Sequence, residues 1–238
     1  MKLTGAPAGK LIGVGRYADV FDLGGGRVLR RYRDSSIVVD REAEVMEHAR
    51  AHGVPVPEVF EANGPDMVME HAVGPTMLQA LTRRPWSLAT QARLLVELHR
   101  LVRAVPGLDW LVAPFGPGGS LVHTDLHPDN VILTRAGPRL IDWQGAVQGP
   151  AEAGMAMTWV LIATGEVPGP VIQRSVAGIG RTLLARTYLG ALEPSLENRW
   201  LGAAARFRLA DPSLTAREGA SLGRLLRSRR LRVPDPIP

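Results

Sequence analysis

Short runs of alternating apolar and polar residues, separated by glycine turns, dominate the first seventy positions. This alternation predicts β-strands with one buried face. Two strands around a glycine turn are predicted within 10–23 and a third at 27–33, after Gly24-Gly25-Gly26, followed by a further pair at 59–62 and 66–70. A helix is predicted at 40–52, with Asp40 as its N-cap and Gly53 ending it.

The remainder of the chain has mainly helical periodicity. Helices are predicted at 76–82, 87–105 (with Ser87 as its cap), 152–164, 169–189, 196–209 and 214–231. One hairpin interrupts them, with strands at 131–134 and 139–141, and 145–150 is predicted to be a loop. The fold class is therefore α+β: a small β-rich part at 1–70, a connector at 71–75 and a mainly helical part at 76–238.

Composition narrows the class of protein. The chain has 238 residues, 45% of them apolar and 21% charged, which is ordinary for a globular protein and long enough for two lobes. The absence of cysteine excludes disulfides and thiolate metal sites. No signal-peptide pattern and no apolar run long enough to span a membrane is visible, so we expect a cytoplasmic protein without a membrane partner.

The basic charge is almost entirely arginine. The formal net charge is +5, and only Lys2 and Lys10 among the 28 basic residues are lysines. This balance is compatible with phosphate-bearing ligands or nucleic acid. Six arginines between positions 217 and 232, near Leu222, Leu225, Leu226 and Leu231, give the last predicted helix and the residue after it a basic amphipathic pattern. An ordinary surface helix explains this pattern better, so we do not expect nucleic acid as a partner.

A short polar stretch at mid-chain concentrates the residues that could do chemistry. It consists of 123–130 and 141–143, which together hold three carboxylates (Asp125, Asp129 and Asp142), the Asn130 amide and two imidazoles. The predicted hairpin would bring Asn130 and Asp142 close together. Their oxygen atoms suit Mg²⁺ better than zinc. Asp125 is left as a base or positioning carboxylate for a hydroxyl nucleophile.

Simpler explanations exist for these residues taken singly. Turn and capping roles account for Asp129, and a zinc or iron site using His123 and His127 would need a third ligand that no spacing supplies. As a set, however, a base, two metal ligands and an upstream glycine turn are the parts of a phosphoryl-transfer site.

The upstream half of such a site is visible in the β-rich part. Gly13 and Gly15 would let backbone amides approach a phosphate, although a plain hairpin turn is the better explanation of a Gly-x-Gly taken alone. Glu42 or Glu44, early in the predicted helix, could pair with Arg30 on the preceding strand. The alternative is that the helix dipole alone favours these acids.

The motif resembles that of the aminoglycoside phosphotransferase family, the small-molecule branch of the protein-kinase-like fold. The match is His123-Thr124-Asp125-Leu126-His127-Pro128-Asp129-Asn130 with Ile141-Asp142-Trp143, against a family pattern of His-Gly-Asp-Leu-His-Pro-Gly-Asn and Ile-Asp-Trp/Phe. The resemblance implies a two-lobed fold and an ATP-dependent phosphotransferase that moves the γ-phosphate to a hydroxyl of a small molecule with Mg²⁺.

The resemblance also implies roles for individual residues. Asp125 would be the catalytic aspartate, and Asn130 and Asp142 would hold Mg²⁺. On the nucleotide side, Gly13, Gly15 and Val20 would belong to the loop over the phosphates, Arg30 and Glu42 would form the phosphate-binding cation and its anchor, and backbone groups of Glu70 and Ala72 in the hinge would meet the adenine edge. His123 and His127 would hold the loop, with a direct role for His127 as the alternative.

The chain departs from the family pattern at three places. Arg30 stands where the family commonly has lysine, and Asp19 stands where protein kinases often have a third glycine. The family's aspartate after Gly-Pro is missing from 149–155, where Glu152 could substitute. These departures leave open a catalytically weak or inactive nucleotide-binding pseudokinase or regulatory module.

The acceptor is the least constrained part of the prediction. From residue 151 to the end there are 12 arginines and seven acids. A polycationic aminoglycoside would call for a cluster of carboxylates, so this balance favours a neutral or anionic hydroxyl compound.

Overall fold

The computed structural model describes residues 9–165, 171–191, 198–212 and 214–230, and the side chains of all of these except 171–179 and 198. The chain forms two compact units. The first joins Met1–Gly74 with Ile132–Gln144, and the second joins Pro75–Val131 with Gly145–Pro238. The segment carrying Asp142 therefore groups with the β-rich unit, although the chain enters it from the helical unit.

The first unit is built on a five-stranded antiparallel sheet. Its strands are β1 (Lys10–Val14), β2 (Ala18–Gly24), β3 (Arg27–Tyr32), β4 (Val59–Asn63) and β5 (Asp66–Glu70), in the order β1-β2-β3-β5-β4. All five predicted strands are confirmed. Gly24, Gly25 and Gly26 have φ of 75°, 59° and 73°, which explains why glycine forms the turn between β2 and β3.

The single helix of this unit, α1 (Asp40–Ala51), buries the predicted apolar face made by Ala43, Val45, Met46 and Ala49. The prediction of Asp40 as N-cap is wrong. Val39 occupies the cap position without a side-chain hydrogen bond, and Asp40 is the first helical residue. A carboxylate at the first helical position is still stabilised by the helix dipole. Aspartate is therefore common at both positions, and the sequence alone does not separate them.

The second unit begins with α2 (Met77–Arg83) and α3 (Leu88–Arg103). Thr76 caps α2 through a reciprocal capping box with Gln79. Ser87 does lie at the N-cap of α3, but its hydroxyl donates to the Arg84 carbonyl oxygen (2.7 Å) and makes no cap hydrogen bond. The short 3₁₀ turn Pro85–Ser87 before α3 takes up that hydroxyl.

A short strand and a hairpin follow. These are β6 (Ser120–Val122), then β7 (Val131–Thr134) and β8 (Gly137–Leu140). The hairpin is confirmed, but its second strand starts at Gly137 and ends before Ile141, so Arg135 and Ala136 alone form the turn. Because the strand ends at Leu140, the next two residues, Ile141 and Asp142, lie outside the ladder.

Within the described residues, the rest of the second unit is β9 (Val147–Gly149) and four helices, α4 (Ala151–Thr164), α5 (Val171–Ala191), α6 (Asn198–Leu209) and α7 (Ala216–Arg229). The prediction of 145–150 as a loop is wrong in part, because β9 pairs antiparallel with β6. Three-residue strands carry too little periodicity to be seen in sequence.

Helix α4 is the centre of the helical unit. Ten of its residues are buried, and it packs against α3, α5, α6 and α7. A helix that is apolar on all sides must be covered on all sides. The four helices predicted here are found where residues are described; the predicted ends at 169–170, 196–197 and 231 lie outside the described residues.

Candidate active site

The loop between β6 and β7 carries Asp125 in the second unit. The Asn130 side-chain nitrogen donates to the Asp125 carbonyl oxygen (2.9 Å) and to its Oδ2 (2.9 Å). Both contacts use the amide nitrogen, so Oδ1 is the Asn130 atom that could bind a cation. The Asp125 side chain is 42% exposed, and its Oδ1 is the oxygen left to accept from a hydroxyl.

Two histidines close the turns of this loop. His123 Nδ1 accepts from the Asp125 backbone amide (3.2 Å), and His127 Nδ1 accepts from the Asp129 amide (3.2 Å). An Nδ1 that accepts assigns the ring proton to Nε2. The His127 Nε2 lies 3.5 Å from Asp125 Oδ2. Both rings thus take part in holding the loop, and the His127 proton faces the carboxylate.

These neighbours keep Asp125 ionised. Burial raises the pKa of Asp125, but the hydrogen bond from His127, the positive charge that His127 and His123 carry when protonated, and the hydrogen bond from Asn130 outweigh it and hold the pKa below its usual value. An ionised carboxylate with a lowered pKa is a weak base but a good hydrogen-bond acceptor. The arrangement therefore suits orienting a hydroxyl better than removing its proton in advance.

A second layer of buried polar groups lies behind the loop. The Thr158 hydroxyl of α4 donates to the Leu126 carbonyl oxygen (2.5 Å), and His99 Nε2 of α3 lies 2.7 Å from the same hydroxyl. Thr158 and His99 are 0% and 3% exposed. Burial, with a smaller contribution from His123, lowers the pKa of His99 to about 3.

A buried neutral histidine makes the fold sensitive to acid. Between its usual pKa of about 6.5 and a folded value near 3, the unfolded chain binds a proton that the folded chain does not, so the free energy of unfolding falls as pH falls. We expect His99 to contribute a loss of about 2 kcal/mol between neutral pH and about pH 5.

Urea unfolding of His99→Gln across this range checks the prediction, because glutamine keeps a donor for Thr158 and does not titrate. Its profile is expected to be flatter than that of the native chain by the amount stated. The exposed His52→Gln is the control and is expected to follow the native profile. Parallel profiles for the native chain and His99→Gln would contradict the assignment.

In the first unit, the Arg30 guanidinium on β3 pairs with Glu42 on α1. The pairing proposed from sequence is therefore present, and Glu42 rather than Glu44 is the partner. Burial lowers the pKa of Arg30, but Glu42, Tyr32 and Asp142 outweigh it and raise the pKa above its usual value. Among the described residues, the buried Nε of Arg30 has no hydrogen-bond partner.

Glu42 is a junction for three donors. Besides Arg30, the Tyr32 hydroxyl donates to its Oε2 (3.1 Å) and the Trp143 backbone amide donates to its Oε1 (3.2 Å). Sequence reasoning missed Tyr32. The signal was available, since Tyr32 is two residues after Arg30 on a strand and therefore shares its face.

Asp142 follows the end of β8 in a left-handed conformation, with φ of 66°. Aspartate tolerates this region better than most residues. Its charge contributes to raising the pKa of Arg30, so the carboxylate and the guanidinium act on one another within this unit. The buried Trp143 beside it donates through Nε1 to the Leu140 carbonyl oxygen (3.1 Å), which fixes the turn.

The glycine loop between β1 and β2 is a tight turn. The Gly15 amide donates to the Ala18 carbonyl oxygen (2.8 Å), and a Cβ at Gly15 would lie only 2.9 Å from that oxygen. Gly13 pairs with Val20 in the ladder. The Arg33 guanidinium, which sequence reasoning also missed, donates to Asp19 Oδ1 (2.6 Å) and to the Gly15 carbonyl oxygen (2.9 Å), so the Asp19 charge is paired.

The two residues predicted to meet the adenine edge, Glu70 and Ala72, differ in what their backbones can offer. The Glu70 amide already donates to the Glu58 carbonyl oxygen (2.8 Å), and its side chain is paired with Arg139 (3.0 Å). The predicted contact of Glu70 with adenine could therefore use only its carbonyl group. Ala72 lies two residues beyond β5 and is partly exposed.

Within the part of the chain that the structure describes, no group of three or more histidine, aspartate or glutamate side chains is arranged to hold a metal ion. The zinc alternative based on His123 and His127 gains no third ligand there.

The described portion also contains no helix long and apolar enough to cross a membrane. Helix α7 buries Leu222, and Arg229 stacks over Trp159 (4.9 Å), as in an ordinary packed surface helix.

Comparison with known proteins identifies the family. The model of a family described as "Phosphotransferase enzyme family" matches residues 9–116 and 83–191, which together exceed half of the chain. The chain belongs to the phosphotransferase enzyme family. The family predicted from the motif at 123–143 is confirmed, and the description of that family names phosphotransferase enzymes.

Solved structures confirm the fold of this phosphotransferase family member. An ADP-bound aminoglycoside phosphotransferase matches with a TM-score of 0.59 at 11% identity, covering 92% of this chain and 91% of that one. A choline/ethanolamine kinase family protein from Mesorhizobium loti matches with 0.52 at 16% identity, covering 95% and 88%. The predicted protein-kinase-like α+β fold is therefore correct.

A short stretch of this phosphotransferase family member is closer to one curated relative. Over 39 residues it is 49% identical to the thiamine kinase of Salmonella paratyphi B. The match covers 16% of this chain and 14% of the length of that kinase.

Proposed function

We propose that this chain transfers the γ-phosphate of ATP to a hydroxyl of a small molecule with the help of Mg²⁺. The observation that carries the proposal is the Asp125 carboxylate, ionised and held at one oxygen by Asn130. In this proposal residues 1–70 bind the nucleotide, 71–75 form the hinge, and 76–238 carry catalysis and the acceptor.

Asp125 would orient the acceptor hydroxyl through its Oδ1. Asn130 fixes the other oxygen and the backbone of the same residue, so the carboxylate cannot turn away from a bound hydroxyl without losing hydrogen bonds. Phosphoryl transfer depends chiefly on positioning and electrostatics, which is what a fixed, ionised carboxylate supplies.

Asn130 and Asp142 fit the role of magnesium ligands by chemistry. Each offers an oxygen, the donor that hard divalent cations prefer. The Asn130 amide is oriented by Asp125, so its oxygen rather than its nitrogen would bind. When bound, Mg²⁺ would neutralise charge on the phosphates.

The nucleotide would lie against the first unit. Its phosphates would lie against the turn formed by Gly13, Gly15 and Val20 and would meet the guanidinium of Arg30 anchored by Glu42. Because the Gly15 amide donates to the Ala18 carbonyl oxygen, that amide would have to change partner to bind a phosphate. The buried Nε of Arg30 is a donor without a partner among the described residues, which fits an oxyanion ligand. Glu70 and Ala72 would contact the adenine edge, and the ADP held by a similar aminoglycoside phosphotransferase supports an adenine nucleotide.

Arg30 provides a direct test of the phosphate contact. Arg30→Met removes the charge and is expected to weaken ATP binding by about 10–100-fold, the cost of one charged hydrogen bond. Arg30→Lys keeps the charge and the Glu42 pair and is expected to lose less. Isothermal titration of Mg-ATP measures both.

Arg31→Met is the matched control for this test. Arg31 neighbours Arg30 on β3 but pairs with Asp66 through two 2.7 Å hydrogen bonds, so its loss is expected to leave ATP affinity unchanged. Equal losses at both positions would show that Arg30 acts only through the stability of the sheet.

For the acceptor we propose a neutral or anionic hydroxyl compound, because arginines outnumber acids 12 to seven from residue 151 onward. The test is ATP turnover with a panel that includes polyols, hydroxy acids, thiamine, choline and an aminoglycoside. Turnover that requires one acceptor and Mg²⁺ supports the proposal. Tight Mg-ATP binding without transfer to any acceptor would instead favour the inactive pseudokinase, which the replacement of lysine by Arg30 motivates.

A further inference from the structure

Three helices bring buried polar side chains together behind the loop that carries Asp125. They are His99 on α3, Thr158 on α4 and Tyr188 on α5, with exposures of 3%, 0% and 0%. The Tyr188 ring centre lies 6.0 Å from that of His99. Neither the motif at 123–130 nor the proposed chemistry uses any of the three.

The directions of the hydrogen bonds follow from the groups involved. The Leu126 carbonyl oxygen can only accept, so the Thr158 hydroxyl donates its proton to it (2.5 Å). The hydroxyl oxygen then accepts from His99, which places the histidine proton on Nε2 (2.7 Å). The result is a directed chain of hydrogen bonds from His99 through Thr158 to Leu126, and the Tyr188 hydroxyl forms a further hydrogen bond with Thr158.

The end of this chain lies next to the proposed catalytic residue. Leu126 follows Asp125 directly, and its side chain is fully buried, so the Leu126 peptide is fixed from two sides. The Asn130 amide nitrogen donates to the Asp125 carbonyl oxygen, so the peptide group before Leu126 is held as well. The direction of the Asp125 carboxylate is therefore set by backbone anchors on both sides together with the Asn130 hydrogen bond to its Oδ2.

Helix α4 holds the loop although the family's aspartate after Gly-Pro is missing from this chain. The run 149–155 contains no aspartate, and Glu152, in the first turn of α4, has no hydrogen bond to the loop among the described residues. At Gly154 a Cβ would meet Val122 and His99 at 3.5 and 3.8 Å, so His99 occupies the space beside that position. The loop is held from further along α4, at Thr158.

We propose that Thr158 is a positioning residue for Asp125 and that His99 orients it. The inference rests on the proposed function for its effect on turnover, but the anchoring itself does not depend on activity. Loss of the anchor would let the loop shift, and a misplacement of about 1 Å at a reacting group costs up to about 100-fold in rate.

The test compares two threonines of the same helix. Thr158→Val keeps the shape and removes the hydroxyl, and Thr158→Ser restores it. Thr164→Val is the control, because Thr164 is also buried in α4 but its hydroxyl donates to the Val160 carbonyl oxygen of its own helix (2.7 Å). We expect kcat to fall at least about tenfold in Thr158→Val with the KM for ATP unchanged, to recover in Thr158→Ser, and to stay near native in Thr164→Val.

Hydrogen exchange of the unliganded protein gives a readout that needs no turnover. Amides of 123–130 are expected to exchange faster in Thr158→Val, and those of the β1–β5 sheet to remain unchanged. His99→Gln, which keeps a donor to Thr158, is expected to fall between Thr158→Val and the native chain.

The two measurements distinguish failure of the proposed function from failure of the positioning role. Faster exchange at 123–130 in Thr158→Val, with no turnover in the native chain, would contradict the proposed function but support the anchoring of the loop by Thr158. Unchanged exchange in Thr158→Val, or equal falls in kcat for Thr158→Val and Thr164→Val, would overturn the positioning role.

Discussion

Asp125→Asn is expected to lower kcat by about 10²–10⁴-fold, the range for loss of a side chain that holds the reacting hydroxyl and accepts its proton during transfer, with little change in ATP affinity or stability. Asparagine has nearly the same shape, and its oxygen can accept the Asn130 hydrogen bond that Asp125 Oδ2 now accepts. Its nitrogen then replaces Oδ1 and offers a donor where the acceptor hydroxyl also needs to donate. The loss should therefore fall on the chemical step.

Asp129→Asn is the matched control in the same loop. Asp129 is exposed, and its Oδ1 accepts from the Thr76 hydroxyl (2.8 Å) at the start of α2. Steady-state kinetics on both variants, with calorimetric ATP binding, check the prediction. A loss of less than about tenfold in Asp125→Asn, or an equal loss in Asp129→Asn, would remove Asp125 from the reaction.

The sequence predicted the fold well because its signals are local. Glycine triplets, helix periodicity and the spacing of 123–143 each depend on residues that are near one another in the chain. Arg30 and Glu42, 12 residues apart, could still be paired by reasoning from strand to following helix. Tyr32 was within reach too, through the two-residue period of β3.

What sequence reasoning missed lies at long range. His99 and Thr158 are 59 residues apart, and Thr158 and Leu126 are 32 apart. In α3 and α4, which carry His99 and Thr158, the sequence shows only the spacing of apolar residues. A buried threonine or histidine in such a helix gives no sign of its partner until the helices are packed. The β6–β9 pair was missed for the same reason, since its register joins Ser120 to Gly149.

Glu42→Gln is expected to lower the free energy of unfolding by about 3–5 kcal/mol, the cost of breaking a buried ion pair from one side. The Glu42 residue is 6% exposed and accepts from Arg30, Tyr32 and the Trp143 amide. Glutamine offers one oxygen to three donors and brings two N–H groups of its own, so the buried Arg30 charge loses its counter-ion.

The size of the effect decides between the two roles that the sequence left open for the acids of α1. A helix dipole accounts for about 0.3–1 kcal/mol and is screened by salt, whereas a buried pair is screened much less. Glu44→Gln, at an exposed position of the same helix, is expected to cost no more than about 0.5 kcal/mol. Urea unfolding of both variants at low and high salt makes the comparison.

The same pair of variants links stability to the nucleotide site. If Glu42 holds Arg30 for phosphate binding, Glu42→Gln should weaken ATP binding while the protein is still folded, and adding Arg30→Met to it should cost less than the two single losses combined. Equal stability of Glu42→Gln and Glu44→Gln would mean that the ion pair contributes nothing beyond the dipole. Additive losses in the double variant would mean that Arg30 and Glu42 act independently.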